Sequence, residues 1–170
     1  LATWPPRWRK PKDSEAHPGS GWADGLAFWL AASGLSGVVL ASGWAKLAIP
    51  LGAVAALSMA AAVLSLRGRR DLGFAGLATL GAVLAAAAVV GWAYDLAGIP
   101  AWCFLALAFA PAAMRVPLPR TFRYRSVLRL AMVLAVVAAA SGTAVVESGM
   151  LDSGEGDDGG SDSGSGYYGY

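Results

Sequence analysis

Five long apolar stretches alternate with short polar segments along this chain, and this pattern constrains the fold more than any other feature of the sequence. The stretches have about 16 to 22 residues, close to the number an α-helix needs to cross the hydrocarbon core of a bilayer. The sequence is 56% hydrophobic and only 14% charged, too apolar for a water-soluble domain with a polar shell. We therefore predict an all-α polytopic membrane bundle of about five transmembrane helices.

The predicted transmembrane segment covers residues 23–147, with helices at about 25–43, 50–66, 72–93, 99–114 and 127–146. Asp24 can cap the first helix, and Pro50 suits a helix start, where its missing N–H costs nothing. The fourth stretch is shorter and contains Pro111, so by length alone it also fits a buried or re-entrant segment. The polar residues 1–22 are predicted to be flexible, and residues 148–170, rich in Gly, Ser and acidic side chains, are predicted to form a disordered tail.

The basic residues predict the orientation of the bundle. Twelve of the 13 lysines and arginines precede the first stretch, separate the second from the third, or lie between or just inside the fourth and fifth; Lys46 is the exception. Membrane insertion leaves such residues on the cytoplasmic side, which places the N-terminus inside and the C-terminus outside. The same rule favours a fourth stretch that crosses, in a cytoplasmic membrane of bacterial type.

Small residues recur at four-residue spacing in two predicted helices. The candidate helix-packing residues are Ser33, Gly37 and Ala41 in the first helix and Ala78, Ala82 and Ala86 in the third. Small side chains let transmembrane helices approach closely, which is the usual basis of their association. The stripes fit either internal packing in an alanine-rich bundle or a face for another membrane subunit or a second copy of the chain.

The loop between the fourth and fifth stretches forms a juxtamembrane basic cluster. Its candidate contacts to anionic lipid headgroups are Arg120, Arg123, Arg125 and Arg129. Such a side chain gains about 1 kcal/mol near an anionic membrane surface. The cluster also fits a role as a topology determinant alone. Membrane lipids are therefore the expected partners, and so short a tethered segment is not expected to bind nucleic acid.

The interiors of the five stretches contain no central ionisable residue, which disfavours a proton-coupled carrier or pump. One histidine, His17, and one cysteine, Cys103, are too few for the standard zinc ligand sets or for bis-histidine haem. The sequence also lacks a nucleotide-binding G-x-x-x-x-G-K-[ST] loop and a pair of intramembrane carboxylates. We therefore predict no catalytic, cofactor-binding or metal site and no enzyme activity.

Residues 43–50 resemble residues 91–100, since both contain Gly-Trp-Ala and end in Ile-Pro. The likeness fits a duplicated helical hairpin, as in some transporters, but also the ordinary preference for tryptophan at interfaces and proline at helix starts. The predicted function is that of a small, non-catalytic, multi-pass membrane protein, a structural or accessory subunit that acts through helix packing. The alternative is a small transport component for a neutral or hydrophobic solute, suggested by the hairpin likeness and by Pro111.

Overall fold

A computed structural model describes residues 21–67, 73–118 and 124–149, and these ranges contain helices and turns without any strand. The elements are α1 (Gly21–Ala41), α2 (Ala45–Leu66), α3 (Gly73–Ala93), α4 (Ala101–Phe109), a 3₁₀ helix that continues α4 (Ala110–Arg115) and α5 (Arg125–Glu147). The predicted all-α class is confirmed for the described residues. Most of the predicted flexible N-terminal segment and acidic tail lies outside them.

Four of the described helices are long and apolar enough to cross a membrane, namely α1, α2, α3 and α5. The fourth apolar segment, Ala101–Arg115, is shorter. With α-helical and then 3₁₀ rise it extends roughly 25 Å, less than the thickness of a typical hydrocarbon core. Pro111 lies near the start of the 3₁₀ helix and cannot donate a backbone hydrogen bond, which explains why the α-helical ladder ends there.

Three helices begin earlier than the sequence predicts, α5 by two residues and α1 and α2 by more. α1 begins at Gly21 instead of residue 25, and α2 begins at Ala45, so Pro50 lies inside α2. The backbone N–H groups of Leu47 and Ala48 donate to the Trp44 carbonyl at 3.1 and 3.2 Å, which starts the helix before the proline. The tight turn before Trp44 depends on Gly43, whose φ of 91° is strained for any other residue.

α1 is the central helix of the bundle, in contact with α2, α3, α4, the 3₁₀ helix and α5. Half of its most apolar window is buried, compared with 28% in α2 and 22% in both α3 and α5. Its buried residues are mostly small or medium in size: Ala23, Gly25, Ala27, Phe28, Ala31, Ala32, Leu35, Val38 and Val39. The other helices therefore pack on α1 and leave their outer faces exposed.

The outer surface of the bundle carries large apolar side chains. Ile49 and Leu57 are 74% and 67% exposed, and Phe109 and Leu134 are also exposed. Alanine predominates in the interior, whereas many large apolar side chains lie on the outside. This distribution, with four long apolar helices, is that of a membrane protein.

α1 and α2 approach so closely that a glycine is required at their contact. A methyl group on Gly25 would lie 2.9 Å from the Cα and backbone nitrogen of Ala62, closer than a Cβ atom can come. Further along the same contact, the Ser36 hydroxyl donates to the Ala48 carbonyl at 2.9 Å. This hydrogen bond joins the two helices within an apolar environment.

We expect Gly25→Ala to destabilise the bundle by about 1–3 kcal/mol, because the Ala62 backbone cannot move aside as a flexible side chain can. The matched control is Gly52→Ala, since a methyl on Gly52 meets nothing within 4 Å. That control should be neutral or slightly stabilising, because alanine favours a helix. Reversible unfolding in mixed detergent micelles measures the free energy of unfolding of each variant. Equal values for the two variants would argue against the close α1–α2 contact.

Candidate functional site

The described arginines lie at one end of the bundle, which we call the arginine-rich end. The Arg115 guanidinium lies 3.8 Å from the Asp24 carboxylate, which joins the 3₁₀ helix to the start of α1. The Arg129 guanidinium donates two hydrogen bonds, of 3.1 and 2.8 Å, to the Val116 carbonyl. These bonds join α5 to the residue that follows the 3₁₀ helix. Arg67 and Arg125 lie at this end too, at the C-terminal end of α2 and the N-terminal end of α5.

The opposite end is formed by two connecting segments that pack together. The Leu96 N–H donates to the Ser42 carbonyl at 3.3 Å, and the rings of Trp44 and Tyr94 have their centroids 4.9 Å apart. The Asp95 carboxylate accepts a hydrogen bond of 3.0 Å from the backbone N–H two residues later. Asp95 therefore stabilises a local turn, as aspartate commonly does in loops.

The predicted stripe on α1 lies on an open part of the helix. Ser33 and Gly37 are exposed and Ala41 is partly buried, and a methyl on Gly37 would meet nothing within 4 Å. Ser36 faces α2, whereas Gly34 faces Val137 of α5. With about 100° between successive residues, Ser33 and Gly37 fall between these two directions.

This open strip exists because α2 and α5 hardly contact each other in the described part of the chain. Both helices pack on α1, so they stand on either side of Ser33 and Gly37. The second predicted stripe, Ala78, Ala82 and Ala86, is exposed on α3. Ala41 packs partly against the core, whereas the other five stripe residues are exposed. Packing of the stripes against a partner helix stays a prediction.

The buried residues of α2, most of them small, form a seam that the sequence does not predict. Its buried members alternate at spacings of three and four residues: Ala48, Leu51, Ala55, Ser58 and Ala62. That spacing is the available signal for a helix-packing seam. Alanines also occur on the exposed faces of α2, so the spacing alone does not select the face that contacts α1.

A groove of about 540 Å³ lies between α1, α3 and the segment formed by α4 and the 3₁₀ helix. Apolar groups make up most of its lining, including Phe28, Gly81 and Pro111. Asp24 and Arg115 also line it, so one end of the groove carries an ion pair at the arginine-rich end. The volume lies within the range of about 300–1,000 Å³ that small-molecule sites occupy.

The rim of this groove is open to the side of the bundle. Ala78, Phe109 and Ala112 line it and are all exposed. A small molecule therefore reaches the groove from the side without crossing the interior of the bundle. Ala78 is the residue that this site shares with the predicted stripe on α3.

The predicted lipid-contacting arginines are only partly within the described residues. Arg125 and Arg129 lie in the first two turns of α5, whereas Arg120 and Arg123 lie outside the described ranges. The hydrogen bonds of Arg129 to Val116 give this side chain a structural role. Contact of these arginines with anionic lipid stays a prediction.

Within residues 21–67, 73–118 and 124–149, no three His, Cys, Asp or Glu side chains come together as a metal site would require. Cys103 is buried in α4. Comparison with protein-family models, with curated proteins and with solved structures found no match. The functional interpretation therefore depends on the geometry of this chain.

Proposed function

We propose that this chain crosses a bacterial-type cytoplasmic membrane five times, with its N-terminus inside and its C-terminus outside. Five crossings are supported by the two ends of the fourth apolar segment. Leu96, which precedes it, bonds to Ser42 at one end of the bundle, and Arg115, which ends it, contacts Asp24 at the other. The segment is short for a span, but a terminal arginine can extend its charged group into the headgroup region.

The orientation is supported by the distribution of charge between the two ends. The described arginines all lie at one end, whereas Lys46, Asp95 and Glu147 lie at the other. Insertion favours arginine on the cytoplasmic side. The start of α1 at the arginine-rich end then lies inside, and the end of α5 lies outside.

We propose further that the protein is a non-catalytic structural or accessory subunit that acts by helix packing. The observation that carries this proposal is the open strip at Ser33 and Gly37, between α2 and α5. A partner helix can approach the α1 backbone closely there, because Gly37 has no side chain and nothing within 4 Å of a methyl built on it. Its partner is another membrane subunit or a second copy of the chain.

A second candidate function is that of a transport component for a neutral or hydrophobic solute. The observation that favours it is the groove that reaches Pro111, where the regular helix ends. A site open to the hydrocarbon suits a solute that partitions into lipid. Flux of such a solute into proteoliposomes distinguishes this role from that of an accessory subunit.

The proposed topology predicts the labelling of single cysteines in a Cys103→Ala background. Leu96→Cys and Ser153→Cys should react with a membrane-impermeant maleimide on intact cells, and Ser126→Cys should react only after the membrane is opened. The parent Cys103→Ala protein is the control for background labelling. Reaction of position 126 from outside would mean that the fourth segment does not cross or that the orientation is reversed.

The proposed packing role predicts that Gly37→Leu breaks up an assembly. The wild-type protein in mild detergent should run as a complex larger than the monomer, measured by light scattering. Gly37→Leu should shift most of the protein to the smaller species, because leucine fills the strip without disturbing the fold. Gly52→Leu is the matched control, since its position on α2 is also open; a monomeric wild type or an unaffected Gly37→Leu complex would contradict the proposal.

A further inference from the structure

We propose that the groove between α1, α3 and the α4–3₁₀ segment binds a membrane glycerophospholipid, with one acyl chain in the groove and the phosphate at Arg115. The position and apolar lining of the groove support the placement of the acyl chain. The arginine at its end supports the placement of the phosphate. The proposal does not depend on a partner at the Ser33–Gly37 strip, which lies on another side of α1.

The groove has the depth of an acyl chain in one leaflet. It begins at the arginine-rich end with Asp24 and Arg115 and reaches Gly81 on α3. Gly81 follows the first residue of α3, Gly73, at a distance of about 12 Å along the helix axis. One leaflet contributes about half of the roughly 30 Å hydrocarbon core, so the groove covers most of its depth.

The lining matches a hydrocarbon chain. Phe28, Leu77, Pro111 and Met114 present apolar groups, and the exposed Phe109 stands at the rim. Because the rim opens to the side of the bundle, a lipid can enter by lateral movement within its own leaflet. Its headgroup then stays at the arginine-rich end, in the interfacial region.

Arg115 has the chemistry to bind the phosphate. Its side chain is 66% exposed, and its closest described carboxylate oxygen, on Asp24, is 3.8 Å away. A charge-assisted hydrogen bond between such groups is about 2.7–2.9 Å long, so the contacting nitrogen forms an ion pair with Asp24 but no hydrogen bond to it. A guanidinium can donate two parallel hydrogen bonds to a phosphate.

Gly81 allows the groove to be blocked without disturbing the fold. A methyl built on this residue meets nothing within 4 Å, although the residue lines the groove. Leucine at this position therefore projects into space that the acyl chain would occupy. Gly52→Leu makes the same change at an open position of α2, outside the groove.

The test is native mass spectrometry of the purified full chain in neutral detergent, titrated with dioleoyl phosphatidylethanolamine. The wild type and Gly52→Leu should retain one lipid at low concentration, and Gly81→Leu should lose that binding. Arg115→Gln should weaken it about tenfold, the scale of a lost hydrogen bond to a charged group. Arg67→Gln, at the same end but outside the groove, should leave it unchanged.

Separate titrations with oleate and inorganic phosphate distinguish the contributions of the acyl chain and the phosphate. Oleate should bind more weakly than phospholipid because it lacks the phosphate, and phosphate alone should not displace the lipid. Retention of the lipid by Gly81→Leu, equal loss in Gly52→Leu, or oleate binding as tight as phospholipid and as sensitive to Arg115→Gln would each overturn the proposal. Cross-links from position 81 to a second protein chain would also overturn it, because a protein helix would then occupy the groove.

Discussion

Close contact at small residues holds this bundle together, because lipid gives helices no hydrophobic reason to associate. Glycine lies at three contacts that involve the central helix α1. Gly25 faces α2, Gly34 faces α4 and α5, and Gly91 of α3 faces Val39 of α1; at each, a methyl group would come within 2.9 Å of a neighbouring atom. The contact with α2 is the most restrictive, since there the neighbouring atoms include the backbone of Ala62. α2 and α5 pack mainly on α1, whereas α3 packs mainly on α4.

The groove and the open strip are consequences of the same arrangement. α4 loses its regular hydrogen bonding at Pro111 and continues as a 3₁₀ helix, and α3 offers Ala78 and Gly81 opposite it, so the space between these elements and α1 is not filled. On another side of α1, α2 and α5 stay apart and leave Ser33 and Gly37 uncovered. The small residues that allow close packing therefore also leave the groove and the open strip on the outer surface of the bundle.

The sequence predicts the helical class and the approximate helices because these depend on the length and composition of apolar stretches. It does not predict the start of α2, since Pro50 is a good first residue but the turn at Gly43 and Trp44 starts the helix earlier. It does not identify the seam through Ala55 and Ser58, because alanine occurs on every face of α2. The sequence does not predict the groove either, because its lining and the pairing of Asp24 with Arg115 depend on how α1, α3 and the α4–3₁₀ segment pack together. The hydrogen bonds of Arg129 to the Val116 carbonyl are not predictable from the sequence either, because they depend on where α5 meets the residue that follows the 3₁₀ helix.

A nitroxide scan of residues 51–64 in bilayers shows whether α2 lies in lipid and packs on α1, by comparing collision rates with oxygen and with a water-soluble nickel chelate. Oxygen enters hydrocarbon and the chelate stays in water. We expect oxygen accessibility to exceed nickel accessibility throughout, with a helical period and minima at the buried positions Leu51, Ala55, Ser58 and Ala62. Nickel accessibility in the middle of α2 would mean that water covers its outer face, and oxygen accessibility without a period would mean that α2 does not pack on α1; either result would rule out a bundle held together by helix packing within lipid.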